Sequence, residues 1–150
     1  MWISTRAQYG MRALVEIALS GDAPVSLKVI SEKQSISQHY LEQLVSILRR
    51  AGVVESVRGA YGGYRLARPM TEVTALEVVE LMEGSLAPVT CIDSEDNCDR
   101  VGQCATEPLW RRVDEAVRHV LSSTTLADLV MEKSQLVQLE ALPEQFTSAN

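Results

Sequence analysis

The chain has 150 residues, of which fourteen are Lys or Arg, twenty are Asp or Glu, and 46% are hydrophobic. That size suits one compact domain with an appendage, and no apolar run approaches the roughly 20 residues of a bilayer-spanning helix, which excludes a helical membrane span and a low-hydrophobicity disordered chain. The net charge of -6 is an average over two unlike halves: residues 1–68 hold nine basic and five acidic side chains (+4), and residues 69–150 hold five basic and fifteen acidic (-10). Phosphate attraction depends on the local face presented, so nucleic acid would be met by the amino-terminal half. Met1 to Gly10 lack the apolar run and small-residue cleavage site of a secretory signal, and the expectation is a cytoplasmic protein without membrane attachment.

From Ser4 to Leu19 the apolar residues Ala7, Met11, Leu14, Ile17 and Ala18 recur near the 3.6-residue period behind a Ser4 or Thr5 cap, which predicts a first helix ended by Gly21-Asp22-Ala23-Pro24. Ser26 caps a short second helix carrying Leu27 and Ile30. Ser37 caps a third, with Leu41, Leu44, Val45 and Leu48 as its buried stripe and Gly52 at its stop. Two short helices joined by a tight turn, the second with a polar face, are the trace of a helix-turn-helix. The weakly alternating stretches Val53 to Val57 and Tyr64 to Ala67 flank the turn Gly59-Ala60-Tyr61-Gly62-Gly63, so a β-hairpin follows at once. The fold class is therefore mainly α with a small β-hairpin wing, a winged helix-turn-helix.

Thr74 opens a fourth helix with Leu76, Val78, Val79, Leu81 and Met82, and Glu83-Gly84 closes it. An irregular polar segment, Pro88 to Thr106, holds all three cysteines. From Leu109 the helical period returns with Trp110, Val113, Val117, Val120 and Leu121, a stripe long enough to call for burial against a second copy of itself. A last helix, about Leu126 to Leu139, reads as a docking element. The expected organisation is a DNA-binding domain over residues 1–84, a cysteine-containing cluster-binding loop over 85–106, a dimerisation helix and docking helix over 107–140, and a flexible tail over 141–150.

A winged helix reads DNA with the amino-terminal end of its third helix in the major groove. Ser37, Gln38, His39, Tyr40, Glu42 and Gln43 occupy that end. Glutamine pairs with adenine, tyrosine reaches phosphate or a thymine methyl, and Glu42, unfavourable beside phosphates, restricts which sequences bind. Arg58 stands where the hairpin turns, with Gly59 beside it and Tyr61 close by, which suits entry of the guanidinium into a minor groove. Ser4 and Arg6 stand at the start of the first helix, a place that favours phosphate. Each group also has a plainer reading: a solvated helix face, a surface ion pair, an ordinary helix start.

Cys91, Cys98 and Cys104 follow a Cys-x6-Cys-x5-Cys spacing in polar chain, which argues against simple packing of buried thiols. Iron-sulfur binding, zinc binding and redox-active thiols all remain open on spacing, although the Cys-x2-Cys knuckles of zinc ribbons are missing. A fourth ligand must come from elsewhere. Glu107, three residues after Cys104, is the nearest carboxylate on that side; its other reading is a favourable charge in the first helical turn, after a Thr106 cap and beside Pro108. Asp93, Asp96, Asp99 or a group from a partner subunit are alternatives. His39 and His119 have no catalytic triad around them, and the glycine-rich turn lacks the Lys-Ser or Lys-Thr of a phosphate-cradling loop, so an enzyme reading rests on reactive thiols alone.

Taken together, Ser4-Thr5-Arg6-Ala7-Gln8-Tyr9, the run Ile36 to Leu44, the wing Ser56 to Leu66, Leu109-Trp110 and Thr125-Leu126-Ala127-Asp128-Leu129 resemble the bacterial winged-helix regulators that include the iron-sulfur regulator IscR and the nitric-oxide sensor NsrR. The match runs to about Val137. The resemblance implies a homodimer joined through Leu109 to Leu121, a pseudo-palindromic double-stranded DNA operator, and a 2Fe-2S cluster on Cys91, Cys98 and Cys104. At the position where IscR-like members carry a histidine ligand, this chain has Glu107, the implied fourth ligand here, and its first cysteine spacing is one residue longer. NsrR-like members can hold a 4Fe-4S cluster with an aspartate from the other subunit's first helix; Gln8 stands there in this chain, which favours the IscR type.

Overall fold

The computed structural model describes residues 3–94, 100 and 102–140. In chain order the elements are α1 (Thr5–Leu19), α2 (Leu27–Gln34), α3 (Gln38–Arg50), β1 (Val54–Val57), β2 (Gly63–Leu66), α4 (Ala75–Glu83), α5 (Thr90–Asp93), α6 (Glu107–Ser123) and α7 (Leu126–Glu140). The helix starts follow from local chemistry: Ser4, Ser26, Ser37 and Thr74 each accept, through the side-chain oxygen, the N–H three residues on. Thr125 and Asp128 do the same reciprocally at α7, where the Asp128 carboxylate takes the Thr125 amide at 2.8 Å and the Thr125 hydroxyl takes the Asp128 amide at 3.2 Å. Gly52 ends α3 in the left-handed conformation (φ 73°) that carries little penalty for glycine.

One core gathers α1 to α4 and the base of the wing. Leu14, Ile17, Ile30, Leu41, Leu44, Leu48 and Met82 are all but fully enclosed, and Leu126 joins them from α7. The hairpin pairs Val54 with Leu66, Glu55 with Arg65, Ser56 with Tyr64 and Val57 with Gly63. Val25, just before α2, adds a short third rung: its N–H and C=O exchange 2.9 Å bonds with Tyr64. This rung ties the wing to the helix-turn-helix. At the other end of the domain, Thr125 bridges to Thr74 and α7 packs along α1.

The expected helices and hairpin are present within a residue or two. Two local details differ. Part of the segment expected to be irregular forms the one-turn helix α5, which carries Cys91 and packs on α6; four residues are too few to show a period. Thr106 precedes α6, but its hydroxyl makes no capping bond and instead lies 3.2 Å from the Cys104 sulfur. The expected ligand Cys98, the alternatives Asp96 and Asp99, and the tail over 141–150 lie outside the described residues. No side chain of helix α6 is fully buried within the chain: Trp110, Val113, Val117 and Leu121 are half-buried, Leu121 against the core, and Leu109 and Val120 are exposed.

Gly63 is where the wing meets the helix-turn-helix most closely: a Cβ there would lie 2.3 Å from the Val25 carbonyl oxygen, a backbone atom that cannot step aside alone. Gly63→Ala should therefore lower stability by about 1–3 kcal/mol, as overpacking does. The check is urea unfolding; a midpoint equal to wild type would contradict this account of the junction.

Candidate nucleic-acid interface and metal centre

Helix α3 is strongly two-sided. Leu41, Leu44, Val45 and Leu48 are buried, whereas Gln38, His39, Glu42 and Gln43 face solvent. His39 approaches Gln43 at 3.4 Å and Glu42 at 3.8 Å, so these side chains share one polar surface. Ser37 holds the amide of Tyr40 at 3.3 Å and starts the helix. Tyr40 is half-buried and stands apart from its neighbours: its ring meets Tyr9 of α1 edge to face, with centroids 6.1 Å apart. That contact brings the first turns of α1 and α3 together, and with them Arg6, which is exposed. Ser4 is engaged inside the protein, donating through its amide (2.8 Å) and its hydroxyl (2.5 Å) to Glu83 at the end of α4.

In the wing the two arginines have different surroundings. Arg65 pairs with Glu55 across the hairpin at 2.6 Å, as their facing register dictates. Arg58, in the connecting turn, is exposed and has no ion pair among the described residues. Gly59 beside it takes φ 117°, a conformation closed to other residues without strain, and Tyr61 is 93% exposed at the tip. Neither this exposed aromatic nor this unneutralised guanidinium at the hairpin tip serves the core.

The cysteine region is built on α5 and the start of α6. Cys91 and Cys104 are free, half-buried thiols on these packed segments. The Thr106 hydroxyl, helped by the backbone of Thr106 and Glu107 and by the charge of Arg100, holds the Cys104 thiol below its ordinary range. A metal or cluster is bound by thiolate, so this environment fits a ligand role. Glu107 spends its carboxylate on Arg111 one turn on, at 2.6 and 3.3 Å. Among the described residues, no three His, Cys, Asp or Glu side chains come together as a metal site. Asp93 bonds to the Ser85 hydroxyl and is engaged there.

Several residues that shape the site carried no sequence signal of their own. Tyr9, which braces Tyr40, and Glu83, which holds Ser4, meet their partners only in the fold. Glu16 had a weak signal, a charge one residue from Ile17 on the buried stripe of α1.

A winged helix with an exposed polar face on its third helix is the architecture of a DNA-binding transcriptional regulator. The chain belongs to the Rrf2 family, described as iron-dependent transcriptional regulators, whose model matches residues 3–132. It is 45% identical over 130 residues to the HTH-type transcriptional regulator CymR of Bacillus subtilis, covering 86% of this chain and 89% of that protein. The solved structure of that protein, the global cysteine regulator of B. subtilis, superposes with a TM-score of 0.75 at 42% identity, covering 88% of this chain and 98% of the other. The chain is also similar to IscR of T. potens, with a TM-score of 0.75, 38% identity and coverage of 91% and 90%.

The Cys104 environment makes a direct prediction. In metal-free protein, Cys104 should react with iodoacetamide at lower pH than an ordinary thiol, because a lowered pKa leaves thiolate present further down the scale. Thr106→Val should move the profile upward; mass-spectrometric rates at each pH read the result, and coincident profiles for the two proteins would remove the assigned cause.

Proposed function

We propose that two copies of this chain bind a pseudo-palindromic DNA operator and that an iron-sulfur cluster on the 85–106 loop sets their affinity for it. The DNA reading is carried by one observation: the solvent-facing polar end of α3 stands in the same domain as a wing whose Arg58 has no ion pair among the described residues. In this reading Ser37, Gln38, His39, Glu42 and Gln43 meet major-groove base edges. Arg58 enters the neighbouring minor groove, with Gly59 allowing close approach and Tyr61 against the groove wall. Arg6 and Tyr40 position phosphates, whereas Ser4, expected to join them, has both its donors on Glu83 and serves the start of α1 instead. Dimerisation through α6 accounts for the incomplete cover of its stripe, where Leu109 and Val120 are exposed, and a two-fold axis turns one half-site into a palindrome. Among the described residues no helix is long and apolar enough to cross a membrane, and the reading places this regulator in the cytoplasm.

The cluster is assigned to Cys91, Cys98 and Cys104, with Glu107 as fourth ligand and 2Fe-2S as its type. When bound it supplies a charge and a bonded staple that depend on iron, sulfide and redox supply. Both Arg111 contacts fall on one Glu107 oxygen, so the other oxygen of the carboxylate is the one that would ligate. The genes controlled would be those of iron-sulfur biogenesis or related stress.

A second reading is favoured by the Glu107 to Arg111 pairing, the lowered Cys104 thiol and the likeness to a cysteine regulator. In it the thiols, free or holding zinc, respond without iron. A 4Fe-4S nitric-oxide sensor is the third form of the same regulator.

Visible absorption with iron and acid-labile sulfide analysis, on protein purified without oxygen, separates these. About two irons and two sulfides per chain are expected; about four of each indicate the 4Fe-4S form, and a colourless protein after attempted reconstitution overturns the cluster assignment. Independently, log affinity for duplex DNA should fall with log salt at a slope of about -0.9 per phosphate contacted, and a flat dependence would overturn the DNA reading. Arg58→Ala should reduce discrimination between A·T-rich and G·C-rich flanks of the operator.

A further inference from the structure

Among the described residues one charged side chain is buried, Glu16 of α1, at 4% exposure. Its carboxylate accepts from the Gln34 side-chain amide at 2.6 Å and faces two lysines, Lys33 at 3.4 Å and Lys133 at 3.9 Å. Gln34 is the last residue of α2, and Ser35 after it takes the left-handed conformation (φ 54°) that turns the chain towards α3. Arg12 of α1 grips the same residue twice: its Nε donates to the Gln34 side-chain oxygen at 2.8 Å and its Nη2 to the Gln34 carbonyl at 2.6 Å. The guanidinium lies 5.1 Å from the Tyr9 ring centroid, and Tyr9 meets Tyr40 in the first turn of α3. An unbroken line of contacts thus runs from α7, through α1 and the helix-turn-helix turn, to the reading end of α3.

We propose that Arg12, Glu16 and Gln34 are positioning residues for DNA recognition: they clamp the turn between α2 and α3 onto α1, and through Lys133 they make the setting of α3 depend on how α7 is docked. The inference rests on the DNA reading above. Its physical basis is the different demands of the two kinds of binding. Base-edge hydrogen bonds require a defined helix orientation, whereas attraction to phosphates depends on charge and tolerates a small rotation. A buried ion group is weak as a source of stability, since apolar residues of similar volume often serve as well, but its partners must be met in one geometry. Here that geometry is the turn that aims α3. Gln34 touches none of the proposed base-reading side chains, and its amide serves Glu16 on one side and Arg12 on the other.

The test uses full-length dimeric protein and two duplexes of equal length: one selected by the wild type from random-sequence DNA, and one of random sequence. Gln34→Ala and the charge-conserving Arg12→Lys should each lower the ratio of selected to random affinity by about tenfold, out of a ratio that ordinarily spans 10³–10⁷. Measured where each variant remains folded, affinity for the random duplex and its salt slope should change little, although Gln34→Ala removes a partner of buried Glu16 and should lower the melting temperature. Lys133→Ala should lower the ratio less, and Lys133→Arg should restore it. An unchanged ratio in both Gln34→Ala and Arg12→Lys overturns the proposal, as does a parallel fall of both affinities that tracks a loss of folded protein. An unchanged ratio in Lys133→Ala removes the link to α7. If wild-type protein selects no sequence at all, the DNA reading itself fails, and that outcome is visible before any variant is made.

Discussion

Enclosure of helix α1 on several sides at once is the constraint on which the other elements depend. Leu14 and Ile17 are fully buried, and α2, α3, α4, α7 and the second wing strand all pack on this one helix. Gly10 lets α4 come so near that a Cβ at this position would lie 2.8 Å from the terminal methyl of Met82. With its apolar side committed to this core, α3 must leave Gln38, His39, Glu42 and Gln43 in solvent. The polar face of α3, the proposed reading face, is what remains after the core has been satisfied, and its place relative to Arg6 and the wing is set by how α1 is surrounded.

Helix α4 transmits that arrangement outwards. Three carboxylates spaced three residues apart reach three different elements: Glu77 holds Arg68 after the wing, Glu80 holds Arg118 of α6 at 2.7 Å, and Glu83 holds Ser4 at the start of α1. Arg118 is shared with Asp114 at 2.9 Å, and the two acids together keep its guanidinium firmly protonated. Half-exposed pairs of this kind are worth about 0–1 kcal/mol each, far less than the aliphatic burial beneath them. Their contribution is therefore to orientation. The helix that precedes the cysteine segment is pinned to the reading domain and to α6, so a change in that segment has a short mechanical path to both.

The opposite charge of the two halves has a structural counterpart. In the amino-terminal half Arg6 and Arg58 are exposed with no ion pair among the described residues, while Lys33, Arg65 and Arg68 are paired; in the acidic half Arg111 and Arg118 are paired with acids on their own helix. A polyanion is attracted by the unpaired cations and repelled by the surplus acidic charge of the carboxy-terminal half. The described thiols and the incompletely covered α6 stripe belong to the acidic half, whose surplus negative charge disfavours a phosphate backbone.

Much of this was legible in the residues themselves, because the signals were local. A serine or threonine three residues before the amide it caps, an apolar period of 3.6, and glycines between two alternating stretches each act within one turn or one hairpin; hence α1 to α4 and the wing begin and end close to where Ser4, Ser26, Ser37, Thr74 and Gly52 place them. The polar set on α3 and the three cysteines were visible for the same reason, as composition confined to short spans. What the sequence could not determine depends on residues far apart in the chain. That Ser4 is taken by Glu83, that Thr106 serves Cys104 instead of capping α6, and that buried Glu16 draws Gln34 and Lys133 to one point were decided by tertiary packing. A side chain with several possible partners takes the one that burial brings within reach, and burial is a property of the whole fold.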